Sequence, residues 1–449
     1  MRNLFFSVAI LGALIWAMAS AEGAIIALNW ICFQRPQDFS DWWAGAPIFQ
    51  IALAIAIVSN VVRGKFRPRV PGLLVVYYCL IVWIILSAAF AFDTDHAWDF
   101  CKMYLPSMIV TPFVMYSTIN DLELLKRVMW VAAGSLGLNA FKVAVALSLH
   151  GGYHITEAVT GFVGDNNGFG LVLCLVVPIL IGLKGTLPPK KWMHRGLTAV
   201  IVGASLCIIY TESRGALITL SIIVLLKSMM SKHAVRNTCI ALGIAVLGYL
   251  IVPSQFFERL STLKDVSADA SAMGRIENWG LAWNEAKEFP FLGVGPDNHL
   301  LYNHARGASV HIRVAHSTYF EVLGENGFVG LAWYLMFLFT GIGVLMSTWA
   351  RAARACVEHP ELTWTRDLAS WMTCAAIGYV VGSAFLNMLY FEFPWYLFFF
   401  GSMLRRFLPV ARAGAISARR TGPAKQVDRP GRRLPRAGVP PASKPLRSP

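Results

Sequence analysis

The chain reads as a series of apolar runs, each long enough or nearly long enough to cross a bilayer, separated by short polar connections. The runs fall at 4–33, 47–62, 73–92, 103–119, 125–149, 168–185, 196–210, 216–230, 235–253, 327–349, 368–389 and 396–408. A helix needs about 20 apolar residues to cover the hydrocarbon core, and within a helix every backbone polar group is paired without water. The pattern therefore predicts an all-α polytopic membrane bundle of about 12 spans. The first run is either one long tilted span or a hairpin of two. One connection breaks the rhythm, the stretch from 254 to 326. Inside it Ile276, Trp279, Trp283 and Ala286 recur at helical spacing, which predicts an amphipathic helix ended by Pro290. Phe289, Phe291 and Leu292 would dock that helix on the bundle or the membrane surface. Gly293-Val294-Gly295-Pro296 forces a turn, and a second short helix is expected from His316 to Glu325, closed by Gly327. The chain thus divides into N-terminal spans (1–253), a partly helical loop (254–326), C-terminal spans (327–408) and a tail (409–449).

Charge in the connections sets orientation. Arg63, Lys65, Arg67 and Arg69 share one connection, and Lys126 and Arg127 another. Lys184, Lys190, Lys191 and Arg195 follow, then Lys227, Lys232 and Arg236, then Arg351, Arg354 and Arg366. These groups occupy every second connection, and the positive-inside rule makes their side the cytoplasm. The opposite side receives the acidic Asp93–Asp99 connection, the approach to Gly164, the Glu212–Arg214 turn and the long loop. Both termini are then expected in the cytoplasm. A long loop on a rigid scaffold is where function is expected.

Composition excludes a soluble globular chain: 56% of residues are hydrophobic and 14% charged, against about 25% charged in soluble domains. The formal charge of +14 looks like a nucleic-acid signal until it is located. Arg412, Arg419, Arg420, Lys425, Arg429, Arg432, Arg433, Arg436, Lys444 and Arg447 crowd the tail, where Asp428 is the only acid. Rich in Pro, Gly and Ala and without apolar period, the tail reads as a disordered cytoplasmic anchor near anionic lipid. Membrane lipid is an expected partner, and nucleic acid is not. The eight cysteines form no CxxC pair and lie mostly in apolar runs, so they read as small buried hydrophobes. The first apolar run resembles a signal peptide at its start, but it continues through Ala21–Phe33 without a convincing cleavage site and is read as a membrane segment.

Several residues carry candidate chemistry. Arg214 sits in Thr211-Glu212-Ser213-Arg214-Gly215, a tight turn between two spans. It either pairs with Glu212 or snorkels, or it captures a lipid-borne phosphate with its planar fork. Arg275 is expected in the first turn of the loop helix, where the macrodipole disfavours a cation unless an anion binds there too. The alternative is an exposed arginine on an amphipathic helix. His316 is expected at a helix start, which favours neutral imidazole, the form able to accept a proton. His299, His304 and His311 lie nearby, but their spacing lacks a metal-binding signature, and no metal is expected. Asp93-Thr94-Asp95-His96 contains a DxD triplet of the kind that holds a metal in nucleotide-sugar transferases. Here it faces away from the cytoplasm and reads as an ordinary polar connection. Lys142 lies within an apolar run, where a charge is costly and often functional, unless it snorkels to the outer surface. Gly164-Asp165-Asn166-Asn167-Gly168 is a turn with good helix-capping residues, and Asp165 and Asn166 are also placed to line an acceptor pocket.

From about Arg195 to Phe391 the chain resembles the O-antigen ligase and O-antigen polymerase superfamily. The resemblance rests on Ser213-Arg214-Gly215, Gly274-Arg275 with Trp279 and Ala282, Pro290-Phe291-Leu292-Gly293-Val294-Gly295, and Ala315-His316-Ser317 with Gly324, Gly327 and Gly330. Asn29-Trp30, Gln34-Arg35-Pro36-Gln37-Asp38-Phe39 and Gly164-Asp165-Asn166-Asn167 are similar to a branch described as exosortase-associated O-glycosylation ligases. The resemblance implies a multi-pass bacterial inner-membrane glycosyltransferase with its active site facing the periplasm. It implies that Arg214 and Arg275 bind the pyrophosphate of an undecaprenyl-linked glycan, that His316 activates the acceptor hydroxyl, and that no cofactor is needed. The acceptor implied first is lipid A–core in lipopolysaccharide assembly. A second lipid-linked glycan (a polymerase) and a protein side chain are the enzymatic alternatives. A lipid-linked glycan flippase or transporter is the non-enzymatic one, disfavoured by the lack of internal repeats and of mid-membrane charges beyond Lys142.

Overall fold

The computed structural model describes residues 1–150, 165–230, 234–236, 239, 270–307 and 313–409. Almost all of the expected span 235–253, the loop residues 254–269, His311 and the basic tail beyond Pro409 lie outside the described residues. In chain order the helices are α1 (Arg2–Ala19), α2 (Ala21–Gln34), α3 (Ile48–Val62), α4 (Gly72–Ala89), α5 (Thr94–Thr118), α6 (Leu122–His150), α7 (Asn166–Leu183), α8 (Lys191–Tyr210), α9 (Arg214–Met229), α10 (Ala270–Glu288), α11 (His299–Ala305), α12 (Thr318–Glu358), α13 (Thr363–Gly382) and α14 (Glu392–Phe407). No strand occurs among the described residues. Seven described segments are long and apolar enough to cross a membrane, and α3 is a shorter apolar helix. The fold is all-α and polytopic, as the hydrophobic pattern predicts.

The first apolar run is a hairpin. Ser20 is extended, and its hydroxyl accepts the Gly23 N–H at 3.2 Å, capping α2. A Cβ at Gly23 would lie 2.8 Å from the Trp16 ring and carbonyl, so only glycine lets α2 fold back this closely. The turn sits beside the end of α3, where Arg63 Nη2 donates to Met18 O at 2.6 Å, and beside the start of α6, where Glu22 pairs with Arg127 at 3.0 Å. At the other end of the hairpin Arg2 pairs with Asp41 at 3.3 Å.

The basic connections share one face of the bundle. Arg67 N–H donates to Ser117 O at 2.8 Å, Trp130 Nε1 to Thr186 Oγ1 at 2.9 Å, and Arg406 Nη1 to Ile119 O at 3.3 Å, while Arg351 binds Leu408 O. The Ser20 turn lies on this basic face, so Met1 lies on the opposite one. This corrects the expectation for the N-terminus: one run holds two helices, so Met1 lies opposite the basic connections of the described residues and not beside them. In a cysteine-free background, Arg2→Cys and Asp99→Cys should react with an impermeant maleimide from one side of the membrane and Lys190→Cys from the other. Arg2→Cys reacting together with Lys190→Cys would restore a single first span.

α12 carries the second departure. The expected short helix begins at Thr318 rather than His316, and Gly327 does not close it. Gly327 (φ 69°, ψ −174°) kinks the helix, which continues to Glu358. The carbonyls freed by the kink are taken by the preceding turn: Val294 N–H donates to Gly324 O and Gly295 N–H to Glu325 O, both at 2.9 Å. In return Pro290 O accepts the Phe328 N–H at 2.9 Å. A Cβ on Gly293 or Gly327 would come within 2.4 Å of backbone, so both glycines are required by contact as well as by positive φ. Ser87 Oγ of α4, 2.6 Å from Leu292 O and 2.7 Å from Glu325 O, ties the assembly down to the spans. Beneath it, buried aromatic rings of α4, α12 and α14 form the core: Tyr77–Phe337 at 5.4 Å, Tyr77–Phe399 at 5.2 Å and Phe337–Trp395 at 5.3 Å between centroids.

Candidate functional site

On the face opposite the basic connections, three turns and one helix converge. The first turn starts α7. The Asp165 carboxylate accepts the N–H groups of Asn167 at 2.8 Å and Gly168 at 3.0 Å, the cap its sequence suggests. Asn166 Nδ2 donates to Thr211 O at 2.9 Å, which clamps this turn to the one between α8 and α9. The clamp is tight because Gly170 has no side chain: a Cβ there would lie 2.7 Å from Thr211 Oγ1. In the second turn Glu212 is left-handed (φ 53°) and Ser213 Oγ accepts the Ala216 N–H at 3.3 Å. Ser213 therefore caps α9, and half-buried Arg214 is its first residue.

The third turn, Arg313–Thr318, is strapped on both sides. Trp279 Nε1 of α10 donates to Ala315 O at 2.8 Å, and Asn278 Oδ1 accepts the Arg313 N–H at 3.0 Å. The Trp279 ring stacks on Phe320 at 5.1 Å with 7° between planes. From the other side Asn387 Oδ1 accepts the Ser317 N–H at 3.0 Å, and Thr318 Oγ1 donates to Leu386 O at 2.7 Å. The same 383–388 segment reaches the second turn, since a Cβ on Gly215 would rest 3.3 Å from the Phe385 Cβ. Arg275 lies one turn before Asn278 and Trp279. α10 already runs at Ala270, so Arg275 is beyond the first turn and the expected macrodipole argument does not apply to it. The buried face of α10 also differs from expectation. Asn278, Ala282, Glu285 and Ala286 are buried, whereas Ile276 and Trp283 are 49% and 46% exposed. Polar residues can line the buried face because they are bonded there, and Ala282 is small enough for Gly324 to approach closely.

His316 stands at the centre with left-handed backbone (φ 47°), two residues before α12 rather than inside its first turn. Left-handed backbone costs a non-glycine residue about 1–2 kcal/mol, and it persists where surrounding bonds over-determine it. Burial is the main cause that holds the imidazole below the ordinary histidine range, and the Arg275 guanidinium is the second. Asp165 pulls the other way and Arg313 adds to the depression. The electrostatics thus bring Arg275, Asp165 and His316 into one neighbourhood, and the Asn166–Thr211 clamp holds the Arg214 turn beside Asp165. The protonated ring is disfavoured, so His316 is neutral at neutral pH and charges only as pH falls through its depressed pKa. Histidine-selective NMR titration should show that pKa rise in Arg275→Ala, which removes a cation, and fall in Asp165→Asn, which removes an anion but keeps the cap. Titration unmoved in both variants would separate His316 from these charges.

The other sequence candidates resolve structurally. Asp93 caps α5, accepting the His96 N–H at 3.0 Å, and His96 Nε2 meets Asp297 at 2.9 Å. Lys142 is exposed on α6 with its ammonium 5.4 Å from the Phe39 ring centroid, the snorkelling arrangement. His299 is buried with Nδ1 2.7 Å from the fully buried Glu285 carboxylate, which locks α11 to α10, and His304 is exposed. Among the described residues no group of three or more His, Cys, Asp or Glu is arranged to hold an ion. Asn278, Arg313 and Asn387 position or bias His316 and were missed in the sequence. Asn387 had one available signal: an amide at the end of an apolar run needs a partner.

Residues 199–335 match the O-antigen ligase family. The matched interval contains the Arg214 turn, α10 with Arg275, the Pro290–Gly295 turn and His316. The match supports the O-antigen ligase superfamily and, in general terms, ligase- or polymerase-type activity on lipid-linked glycans. No curated protein matches the chain.

Proposed function

We propose that this protein transfers a glycan from undecaprenyl pyrophosphate to an acceptor hydroxyl, lipid A–core first among acceptors, at the periplasmic face of a bacterial inner membrane. The observation that carries the reading is a half-buried His316, its charged form disfavoured by burial and by Arg275, set in one electrostatic neighbourhood with Arg275 and Asp165 inside the interval that matches the family. In the reaction the acceptor oxygen attacks the anomeric carbon. The carbon–oxygen bond to pyrophosphate breaks, and its electron pair leaves on the phosphate. The hydroxyl proton passes to His316 acting as general base. Arg214 and Arg275 neutralise the charge that develops on the leaving pyrophosphate, where partial burial strengthens their effect. Attack opposite the leaving group inverts the anomeric centre. The residues need no metal for these steps.

The test is reconstitution in liposomes with a radiolabelled polyprenyl-pyrophosphate glycan and lipid A–core. The expected product is glycan-extended lipid A–core with release of polyprenyl pyrophosphate, at a rate EDTA leaves unchanged. Label growing only on further lipid-linked units would make the protein a polymerase. Label crossing the bilayer without bond exchange would make it a transporter. Loss of transfer with EDTA, restored by one divalent ion, would overturn the metal-free step.

A further inference from the structure

A cavity lies on the basic face, at the far end of the bundle from His316 and unused by the mechanism above. Its volume is about 560 Å³, and it opens between α9, α13 and the short turn Pro360–Leu362. That volume falls within the range of small-molecule sites, about 300–1,000 Å³. The wall combines one cation, two carboxylates and two indoles: Lys227, Glu361, Asp367, Trp364 and Trp371.

Lys227 is held rather than dangling. Its ammonium donates to Ser370 Oγ and lies 4.8 Å from the Trp371 ring centroid. The Ser370 hydroxyl in turn donates to Asp367 O at 2.8 Å. An ammonium carries three donors, so this arrangement fixes the charge and leaves donor capacity toward the cavity. Asp367 is paired with Arg366 at 2.8 Å, and Glu361 lies 3.1 Å from His359 Nδ1. Trp364 stands at the start of the apolar helix α13, where a tryptophan marks the headgroup layer because its ring has one apolar and one wet side.

We propose that this cavity seats the headgroup of an amine-bearing phospholipid, with its phosphate on Lys227 and its primary ammonium between Trp364, Asp367 and Glu361. An anionic headgroup without an amine would meet two carboxylates across from a single lysine. A quaternary amine could not donate hydrogen bonds to those carboxylates. A phosphate ester bearing a primary amine satisfies both ends, by a charge-assisted bond at one and by cation–π and carboxylate contacts at the other.

The test uses the full chain in detergent, incubated with equimolar dioleoyl phosphatidylethanolamine, phosphatidylcholine and phosphatidylglycerol, with retained lipid counted by native mass spectrometry. The ethanolamine lipid should be retained at least about tenfold over the other two. Lys227→Met should remove that preference, and the Glu361→Gln/Asp367→Asn double variant should shift it toward the glycerol lipid. Equal retention of the three lipids by the unaltered protein, or an unchanged preference in both variants with normal size-exclusion profiles, would overturn the proposal.

Discussion

Replacing His316 with asparagine is expected to lower glycan transfer by about 10²–10⁴-fold while leaving donor binding close to that of the unaltered protein. The size follows from the role of a positioned general base, which acts on the acceptor proton and not on the pyrophosphate. The choice of residue follows from the backbone. His316 is left-handed (φ 47°), and asparagine tolerates that conformation far better than alanine does. His316→Ala would therefore mix lost chemistry with a local backbone penalty, whereas His316→Asn removes the base and keeps the turn. The straps on either side, Trp279 Nε1 to Ala315 O and Ser317 N–H to Asn387 Oδ1, do not involve the imidazole and should survive. Transfer and donor retention are measured on the same membrane preparation, after confirming expression. A folded His316→Asn protein that transfers within a few-fold of the unaltered one would remove His316 as the base.

The sequence made the bundle legible because lipid leaves it few options. Long apolar runs had to be helices, and alternating basic connections had to share a face, as Arg67, Lys126, Thr186 and Leu408 now do. It was less informative wherever a local polar contact decides the outcome. Ser20 splits the first run through a capping bond that hydropathy cannot register, and that one residue reverses the N-terminus. α10 was placed by its apolar spacing, yet it buries Asn278 and Glu285 and exposes Ile276 and Trp283. The reason is tertiary: Arg313, His299 and Asn303 supply partners for those polar groups. Gly327 read as a helix stop because a left-handed glycine commonly ends a helix. Here the Pro290–Gly295 turn takes the freed carbonyls, so the helix resumes. Arg214, Arg275 and His316 stood out through resemblance. What the sequence did not disclose is that Arg275 and Asp165 act on His316, and that Asn166 and Asn387, on segments far apart in the chain, hold the turns that carry Arg214 and His316.

The two arginines should fail differently from each other as well as from His316. Under the proposed mechanism Arg214→Ala and Arg275→Ala each remove a charge-assisted contact to pyrophosphate of about 1.5–3 kcal/mol, so donor affinity and turnover should both fall, by roughly 10–150-fold. Arginine-to-lysine changes should recover little, because an ammonium lacks the planar fork that spans two phosphate oxygens. The distinguishing measurement is the pH dependence of transfer. Arg275 disfavours the His316 imidazolium, so Arg275→Ala should also move the acid limb of the rate profile to higher pH. Arg275 is the leading cation in the depression of the His316 pKa, so Arg214→Ala should lower the rate while moving that limb less than Arg275→Ala does. The double variant tests whether both side chains serve one pyrophosphate. Groups that bind a single charge centre are coupled, so its loss should differ from the sum of the single losses by at least about 0.5 kcal/mol. Strict additivity, together with an unmoved acid limb in Arg275→Ala, would place the two guanidiniums in separate sites and leave the leaving group without its second cation.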